Sequence, residues 1–463
     1  VATQVVQERA EVPRRTEDVV QGRSKVRPPR GRVAIGAACA LALAGTSLST
    51  PTRADEATPL DTRGADAPPS PLRHAWVRAR ARHANPRLRA LAASIDAAHA
   101  RVGAAAPLED PMVMLRVWEL PAGVVTGAPG QTMLMAQQSV PLSSIRARRE
   151  DVARAEAREA EVAREAAVHG ALLEADLAYV AVWEAATRAR LVAADAEVLS
   201  RRAALLRALV ASGGVSATEL ARSEALVARA GLDVQAAETA VAARRRALAA
   251  LLDLPQGTEL PDPPETLDTA EPPTLATLVQ EALSRRAETR YGAAARARAE
   301  ALEGVAEASE APVLTVGAGA MLMAHEGLGW MVETGLTLPV WREARRARHA
   351  EAAALGREAE AAEDAWRLAI VREVGRAWSD WHAAAERLAG LRTQVLPAYE
   401  RRLDVERAAL ATSGDARALV DAEREARGVQ LEVQRAQAEL LRAACIALHA
   451  AGRDDTLSEE AAR

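Results

Sequence analysis

One plan stated twice, about two hundred residues apart, constrains this chain more than any other feature. Each copy sets two short apolar stretches, bounded by glycine and proline, ahead of an alanine-rich helical run too long for an ordinary globule. The first pair is Pro111-Met-Val-Met-Leu-Arg-Val-Trp-Glu-Leu120 and Thr132-Met-Leu-Met-Ala-Gln-Gln-Ser-Val140. The second is Pro312-Val-Leu-Thr-Val-Gly-Ala-Gly-Ala-Met-Leu-Met323 and Met331-Val-Glu-Thr-Gly-Leu-Thr-Leu-Pro-Val340. Long Ala/Glu/Arg segments follow, roughly 143–211 and 342–412, broken at Ser212-Gly213-Gly214 and at Ser413-Gly414. A second helical run then returns in each copy. Tyr179-Val-Ala-Val-Trp183 lines up with Trp378-Ser-Asp-Trp381, and the lead-ins at Leu72 and Leu275 agree as well. A period this long excludes a solenoid, which needs many short repeats.

The returning helices carry a seven-residue rhythm, Leu220, Val227, Val234, Val241 and Leu248 in the first copy, Leu419, Ala426, Val433, Leu440 and Ala447 in the second. Such a repeat winds helices left-handedly around their neighbours. The interleaved positions Ser223, Ala230, Ala237, Arg244 and Leu251 are small or polar in all but the last, which suits close packing in a wide assembly better than a simple dimer. At about 1.5 Å per residue the run 143–211 spans on the order of 100 Å. Its length and its charges mark it as a water-facing coil rather than a membrane helix. The chain is 26% charged with a net charge of −4 and has no basic domain, so nucleic acid is excluded as a partner.

The amino-terminal region reads as a secretory signal. Arg27-Pro-Pro-Arg30-Gly-Arg32 precedes the apolar run Val33 to Gly45, and Pro51-Thr-Arg-Ala54 offers a cleavage site before Asp55. The chain starts with Val and has no Met before Met112, which suggests a mis-set start, with Val26 as an alternative initiator. Cys39 lies in the signal and lacks the large aliphatic residue of a lipobox. Cleavage leaves Cys445 alone, so no intrachain disulfide forms. The expected organisation is 1–54 signal and upstream extension; 55–254 first repeat, with strands near 111–120 and 131–140 and a helical hairpin 143–253; 255–274 Pro-rich linker; 275–452 second repeat, with strands near 312–323 and 331–340 and a hairpin 342–451; and 453–463 polar tail.

The four apolar stretches match transmembrane β-strands in length, roughly 9 to 11 residues. In the third, Val313, Thr315, Gly317, Gly319, Met321 and Met323 would share one side, and Leu314, Val316, Ala318, Ala320 and Leu322 the other. Four strands cannot close a barrel, and open edges are not tolerated in lipid, so membrane strands here require an oligomer. Enzyme chemistry is absent from the pattern: there is no Walker A motif, nucleophile elbow or paired catalytic carboxylate. The eight histidines form no ligand-spaced pair, and His74 and His83 read as surface residues. Met112, Met114, Met133, Met135, Met321 and Met323 invite a metal-relay reading because thioethers bind Cu(I), but they alternate along strand candidates, where packing accounts for them. No cofactor and no metal site is expected.

Several of these pieces together resemble the TolC-like outer-membrane efflux proteins, most nearly the heavy-metal efflux branch. The resemblance rests on the lead-in Ala79 to Asn85-Pro86, on Gln137-Gln-Ser-Val-Pro141-Leu142, and on Gly214-Val-Ser-Ala-Thr-Glu-Leu-Ala-Arg-Ser-Glu224. It rests also on Leu336-Thr-Leu-Pro339 and on Leu396-Pro397 followed by Ser413-Gly414. It covers about Leu72 to Gly452. It implies a mostly α fold whose long coiled hairpins form a trimeric α-barrel, with four transmembrane strands per chain in a shared twelve-stranded β-barrel. It implies a passive homotrimeric duct in outer-membrane lipid that works with a periplasmic adaptor protein and an inner-membrane efflux pump. Two departures stand out: Arg286-Ala287-Glu288 where the family carries Arg-Pro-Glu, and Asp253 where it carries glycine.

The glycine breaks leave helix ends for a partner, with Ser216, Thr218 or Asp415 able to cap the returning helices. By resemblance the adaptor docks at Ser212, Gly213, Gly214, Val215 and Ser216 and at Ser413, Gly414, Asp415 and Ala416. Glu219, Arg222, Arg417, Asp421 and Glu423 are the candidates for gating charges, against the simpler reading that they are solvated coil charges. A periplasmic coiled-coil adaptor or a structural coiled-coil protein is the alternative, which the duplication and the four strand candidates count against.

Overall fold

The computed structural model of the 463-residue chain describes residues 67–118, 131–211, 215–323, 327–413, 416–453 and 457. The expected signal and upstream extension, 1–54, lie outside the described residues. Element order repeats as the sequence does. The first half runs α1 (His74–Ala84), α2 (Pro86–Ala105), β1 (Met112–Trp118), β2 (Gln131–Pro141), α3 (Ile145–Ala211) and α4 (Ala217–Leu251). The second half runs α5 (Leu275–Arg285), α6 (Ala287–Ala308), β3 (Val313–Met323), β4 (Gly327–Thr337), α7 (Arg342–Gly390), α8 (Leu396–Ser413) and α9 (Ala416–Ala450).

Local chemistry sets the joints. Asn85 caps α2, its side chain accepting from the Arg87 N–H at 2.9 Å, and Pro86 takes the first helical position, where its missing N–H costs nothing. Ala287 takes the corresponding position in α6 and is fully buried, so the departure from proline leaves that helix start intact. After α4 the chain turns through Asp253 at φ 51, and after α9 through Gly452 at φ 72. The second is a glycine, for which this left-handed backbone is free of Cβ strain; the first is the position where glycine is missing.

Between α7 and α8, Leu391–Val395 form a π turn, and the Leu396 N–H bonds the Leu391 carbonyl five residues back. Pro397 follows, and a proline both lacks an N–H and displaces the carbonyl four residues before it, so the ladder widens just ahead of it. The first copy has no such interruption: α3 is one helix of 67 residues, on the order of 100 Å long. It holds a stretch long and apolar enough to cross a membrane, 44% of it buried. Its Tyr179, Val180, Val182 and Trp183 are core residues, which gives that apolar middle a packing role.

The principal helix contacts run as a row. Toward the strands α2, α3, α6 and α7 lie side by side; beyond the middle of the molecule α3 meets α4 and α9, and α9 meets α7 and α8. The seams are alanine, with Ala153, Ala157, Ala230, Ala237, Ala352, Ala359 and Ala426 all buried, because small side chains let helix axes approach. At Gly292 the approach is tight: a Cβ there would lie 2.6 Å from Glu363 Cβ across the α6–α7 seam. Bulky residues concentrate at the middle, in one cluster around Tyr179, Trp183, Leu248, Leu252 and Leu441 and another around Ile370, Val374, Trp381 and Leu448.

Two segments differ from the sequence expectation. The Pro-rich stretch 255–274 is not a free linker: Leu260 and Leu267 are buried in the first cluster, the Asp262 carbonyl accepts from Leu72 N–H, and the Glu265 and Pro273 carbonyls accept from the Trp183 and Trp378 indoles. The polar tail is tied at its start, where Arg453 donates two bonds to Glu281 at 2.7 and 2.9 Å, and Leu457 packs on the first cluster.

The strands form one antiparallel sheet in the order β1-β2-β3-β4. β4 begins at Gly327 and ends at Thr337, earlier at both ends than the expected 331–340. Gly327 and Gly329 pair with Met323 and Met321 and extend it backward, while Pro339, with no N–H for a ladder, stands beyond its end. β1 is described from Met112 to Trp118, and its expected last residues lie outside the described set.

Candidate channel wall and tunnel tip

Register alone sorts the sheet into two faces. One row runs Leu115, Leu134, Ala320, Trp330; the rows beside it on that face run Val113, Ala136, Ala318, Val332 and Val117, Thr132, Leu322, Leu328. This apolar face is open: Trp330 is 83% exposed and Val332 78%. The other face reads Trp118, Gln131, Met323, Gly327; then Arg116, Met133, Met321, Gly329; then Met114, Met135, Gly319, Met331; then Met112, Gln137, Gly317, Glu333. It is polar or methionine-rich, and Met133 and Met135 are each only 2% exposed. Among the described residues β1 and β4 each have one edge with no paired strand. Apolar outside, mixed inside, with two free edges, is the pattern of a barrel segment.

At the far end of the helices, α3 stops at Ala211 and α4 starts at Ala217. Ser216 caps α4, its side chain accepting from the Glu219 N–H at 3.3 Å, while Thr218 lies inside the helix. Val215 is half-buried beside it. Ser212, Gly213, Gly214, Gly414 and Asp415 lie outside the described residues. Ser413 ends α8 and Ala416 and Arg417 open α9, with side chains outside the described set.

Just inside the tip, Glu219, Arg222 and Asp421 line one cleft between α3, α4 and α9, together with Arg202, Leu199 and Leu206. Glu423 faces Arg202 at 3.7 Å. Three of the five gating candidates thus share one cleft, and a fourth, Glu423, faces Arg202 of the same cleft wall, a residue that their sequence pattern does not single out. The same α3–α9 seam is bridged higher up by Asp195 with Arg427 and by Glu184 with Arg442, and α8 is tied to α9 by Arg402 with Glu425. Burial pulls the Arg427 guanidinium below its usual range.

The middle of the molecule is polar at its centre. His74, expected at the surface, is buried: its Nε2 meets Asp176 Oδ1 at 2.7 Å, and Arg78 donates to Asp176 Oδ2 at 2.6 Å. Tyr179 Oη donates to the Leu72 carbonyl at 2.9 Å. A partner a hundred residues away turned an apparent surface histidine into a core one. Cys445 lies free and fully buried in this cluster, and burial pushes its thiol far above the usual range, so it is unreactive. Arg286 joins α6 to α7, donating to Glu288 and, at 2.7 Å, to Glu373. Burial pushes the Glu288 carboxyl up, but the bond and charge of Arg286, a backbone N–H and the His449 ring together outweigh it and hold the group below its ordinary range. Burial first, then the neighbouring His169 at 6.1 Å between ring centres, lowers His449. Among the described residues no group of three or more His, Cys, Asp or Glu is placed to hold a metal.

Solved structures share this arrangement. CusC, described for the conformational changes of folding and transmembrane channel formation, matches with a TM-score of 0.68 at 15% identity, over 82% of this chain and 92% of its own. The outer-membrane channel OprN matches at 0.65 and 21% identity, over 82% and 89%. The outer-membrane channel MtrE of Neisseria gonorrhoeae, in its open state, matches at 0.65 and 18%, over 83% and 91%. The chain has the TolC-like outer-membrane channel fold. At these identities it is the fold that is shared. No family model and no curated protein matches the sequence.

Proposed function

We propose that three copies of this chain close into a passive outer-membrane duct, each giving four strands to a twelve-stranded barrel and its helices to a periplasmic tunnel. The observation that carries the reading is the sheet, with faces segregated residue by residue and an unpaired strand edge on each side. An open edge is not tolerated in lipid, and a second copy of the same edge pair satisfies it. Strands of 11 residues tilted as in known barrels give an apolar band of about 25 Å, the thickness such a face requires. The row of helices, with α2 and α4 on one side and α7 and α8 on the other, supplies a matching wall segment.

In this reading the adaptor meets the tip residues Ser212 to Ser216 and Ser413 to Ala416, the pump lies behind it, and Glu219, Arg222, Arg417, Asp421 and Glu423 hold the tunnel narrow until the tip is spread. The charges that line the cleft and the Arg202–Glu423 pair support that assignment, because a pair made at the tip has to be broken to widen it. The substrate follows from the pump rather than the duct.

The test is direct. The expressed protein should fractionate with the outer membrane, migrate as a heat-modifiable trimer, and conduct in planar bilayers, with Asp421→Ala or Glu219→Ala raising the open current. A soluble periplasmic rod with no conductance refutes the reading. Unchanged currents in both variants remove those two charges from the gate.

A further inference from the structure

A cavity of about 720 Å³ opens where α3 leaves the sheet and runs beside α6 and α7. Helical spacing builds it. Arg298, Leu302, Val305 and Ser309 recur along one face of α6 and its cap, Arg348, Ala352 and Leu355 along one face of α7, and Ile145 and Arg149 lie a turn apart on α3. Ile145 is the first residue of α3 and Ser309 caps the end of α6, so the cavity adjoins the strands. The chain that leads from β4 into α7 is itself apolar and uncovered at Leu338, Val340 and Trp341, the last 78% exposed.

Two chemistries share the lining. Ile145, Leu302, Val305 and Leu355 form an apolar wall and are each half-buried. Set against that wall are three arginines, and the lining holds one acid, Glu351. Arg149 is exposed and forms no ion pair among the described residues. Arg348 donates to a neutral acceptor, Ser309 Oγ, at 3.0 Å. Arg298 faces Glu156 at 3.6 Å, beyond hydrogen-bond reach, and its buried Nε has no hydrogen-bond partner. A guanidinium stays charged throughout the physiological range, and its planar fork of donors matches a phosphate or a carboxylate.

We propose that this cavity binds an amphiphile made of one anionic head, phosphate or carboxylate, and an alkyl chain. Arg149, Arg298 and Arg348 take the head, and the wall of Ile145, Leu302, Val305 and Leu355 takes the chain. The volume falls within the range of about 300–1,000 Å³ that small-molecule sites occupy. A bare phosphate would leave the apolar wall unused, and a neutral apolar molecule would leave the arginines unanswered. The cavity lies within one chain, so binding needs no trimer; only the membrane as a source of the amphiphile rests on the channel reading above.

Native mass spectrometry of the full chain in a maltoside detergent counts the lipid held per chain. The probes are palmitoyl lysophosphatidylglycerol, the uncharged monopalmitoylglycerol, two-chain phosphatidylglycerol and inorganic phosphate. Saturable binding of the lysophosphatidylglycerol is expected, preferred about tenfold or more over monopalmitoylglycerol because the charge-assisted bonds to the head are the stronger ones. Arg149→Gln, Arg298→Gln and Arg348→Gln together should weaken it about tenfold or more, as should Leu302→Trp, which fills the wall without changing charge. Arg342→Gln, Arg346→Gln and Arg357→Gln together, all exposed on α7 outside the cavity, should leave it unchanged. Circular dichroism reports whether each variant is folded. Equal binding of monopalmitoylglycerol, displacement by inorganic phosphate alone, equal loss in both arginine triples or no effect of Leu302→Trp overturns the site. Two-chain phosphatidylglycerol held as tightly supports the site with the membrane as its source, and exclusion of that lipid supports it with a free single-chain anion as its source. Anionic lipid held by a protein that forms no trimer and no pore keeps the site and sinks the channel reading; a conducting trimer that holds no anionic lipid does the reverse.

Discussion

The tight helix contact at Gly292 makes the sharpest prediction. Gly292 sits in α6 where it crosses α7, and a methyl group there would lie 2.6 Å from Glu363 Cβ, 2.8 Å from its Cγ and 3.1 Å from its Cα. The first and last of these atoms are fixed by the helix, so the side chain cannot swing away, and the axes must separate. Gly375, in α7, has nothing within 4 Å of its added Cβ. Both glycines are interior to helices, so replacing either by alanine gains about 1 kcal/mol of helix propensity. Overpacking at Gly292 costs about 1–3 kcal/mol, and Gly375 bears no such cost. Because the propensity gain is common to both, the difference between Gly292→Ala and Gly375→Ala isolates the packing cost, about 1–3 kcal/mol in favour of the second. Thermal unfolding followed at 222 nm in one detergent, at one protein concentration, measures the ordering. If Gly292→Ala melts at or above Gly375→Ala, α6 and α7 do not meet at the spacing described, and the close alanine seams lose their best-defined example.

Asp176→Ala should be far more damaging than Arg89→Ala in the same assay. The first strands His74 and Arg78 around a buried charge site, a loss of about 3–5 kcal/mol; the second removes an exposed pair with Asp253 and costs about 0–1 kcal/mol. His449 gives a pH signature. Its folded value lies below the ordinary 6.5, so its contribution to stability is complete above pH 6.5 and is lost as pH falls from there toward the folded value. A neutral His449→Gln should therefore narrow its stability gap to the parent protein between pH 7 and pH 5; a gap independent of pH over that range contradicts the buried neutral imidazole. On the sheet, Val332→Arg places a charge on the apolar face and should block outer-membrane assembly, at about 2–4 kcal/mol near the bilayer midplane. Thr315→Arg, on the opposite face, should assemble normally and alter only the pore current. Equal assembly of the two would mean the faces are not divided between lipid and water.

Much of the architecture was legible because it depends on local chemistry. Proline stands at or near one end of each of the four strands, at Pro111, Pro141, Pro312 and Pro339, the period of two sorts Val313 to Met323 onto the faces that the register confirms, and the seven-residue rhythm places Ala230 and Ala237 against α3. What stayed illegible depends on distant partners. His74 cannot be read as buried without Asp176, nor can the proline-rich stretch be read as packed without the indoles of Trp183 and Trp378 that bind its carbonyls. The start of β4 was missed because Gly327-Leu-Gly329 looks like a turn until Met321 and Met323 pair with it. The cleft charges at the tip are visible one by one in the sequence, but Arg202, which shares their cleft and faces Glu423, takes its meaning only from the fold of the hairpin.

The two free edges of the sheet also say when this chain can finish folding. Its helices are held by alanine seams and by ion pairs that tolerate water, so they can form on a single copy. The sheet is different: a lone copy would carry bare strand edges and an apolar face with Trp330 and Val332 almost wholly uncovered, the makings of aggregation. In the proposed trimer, completion of the strands is tied to meeting two other copies at a lipid surface, and its rate rises steeply with the amount of chain present. A cell making too little of the protein would accumulate soluble helical intermediates, and one making too much, faster than membrane accepts it, would accumulate aggregates seeded by these same edges.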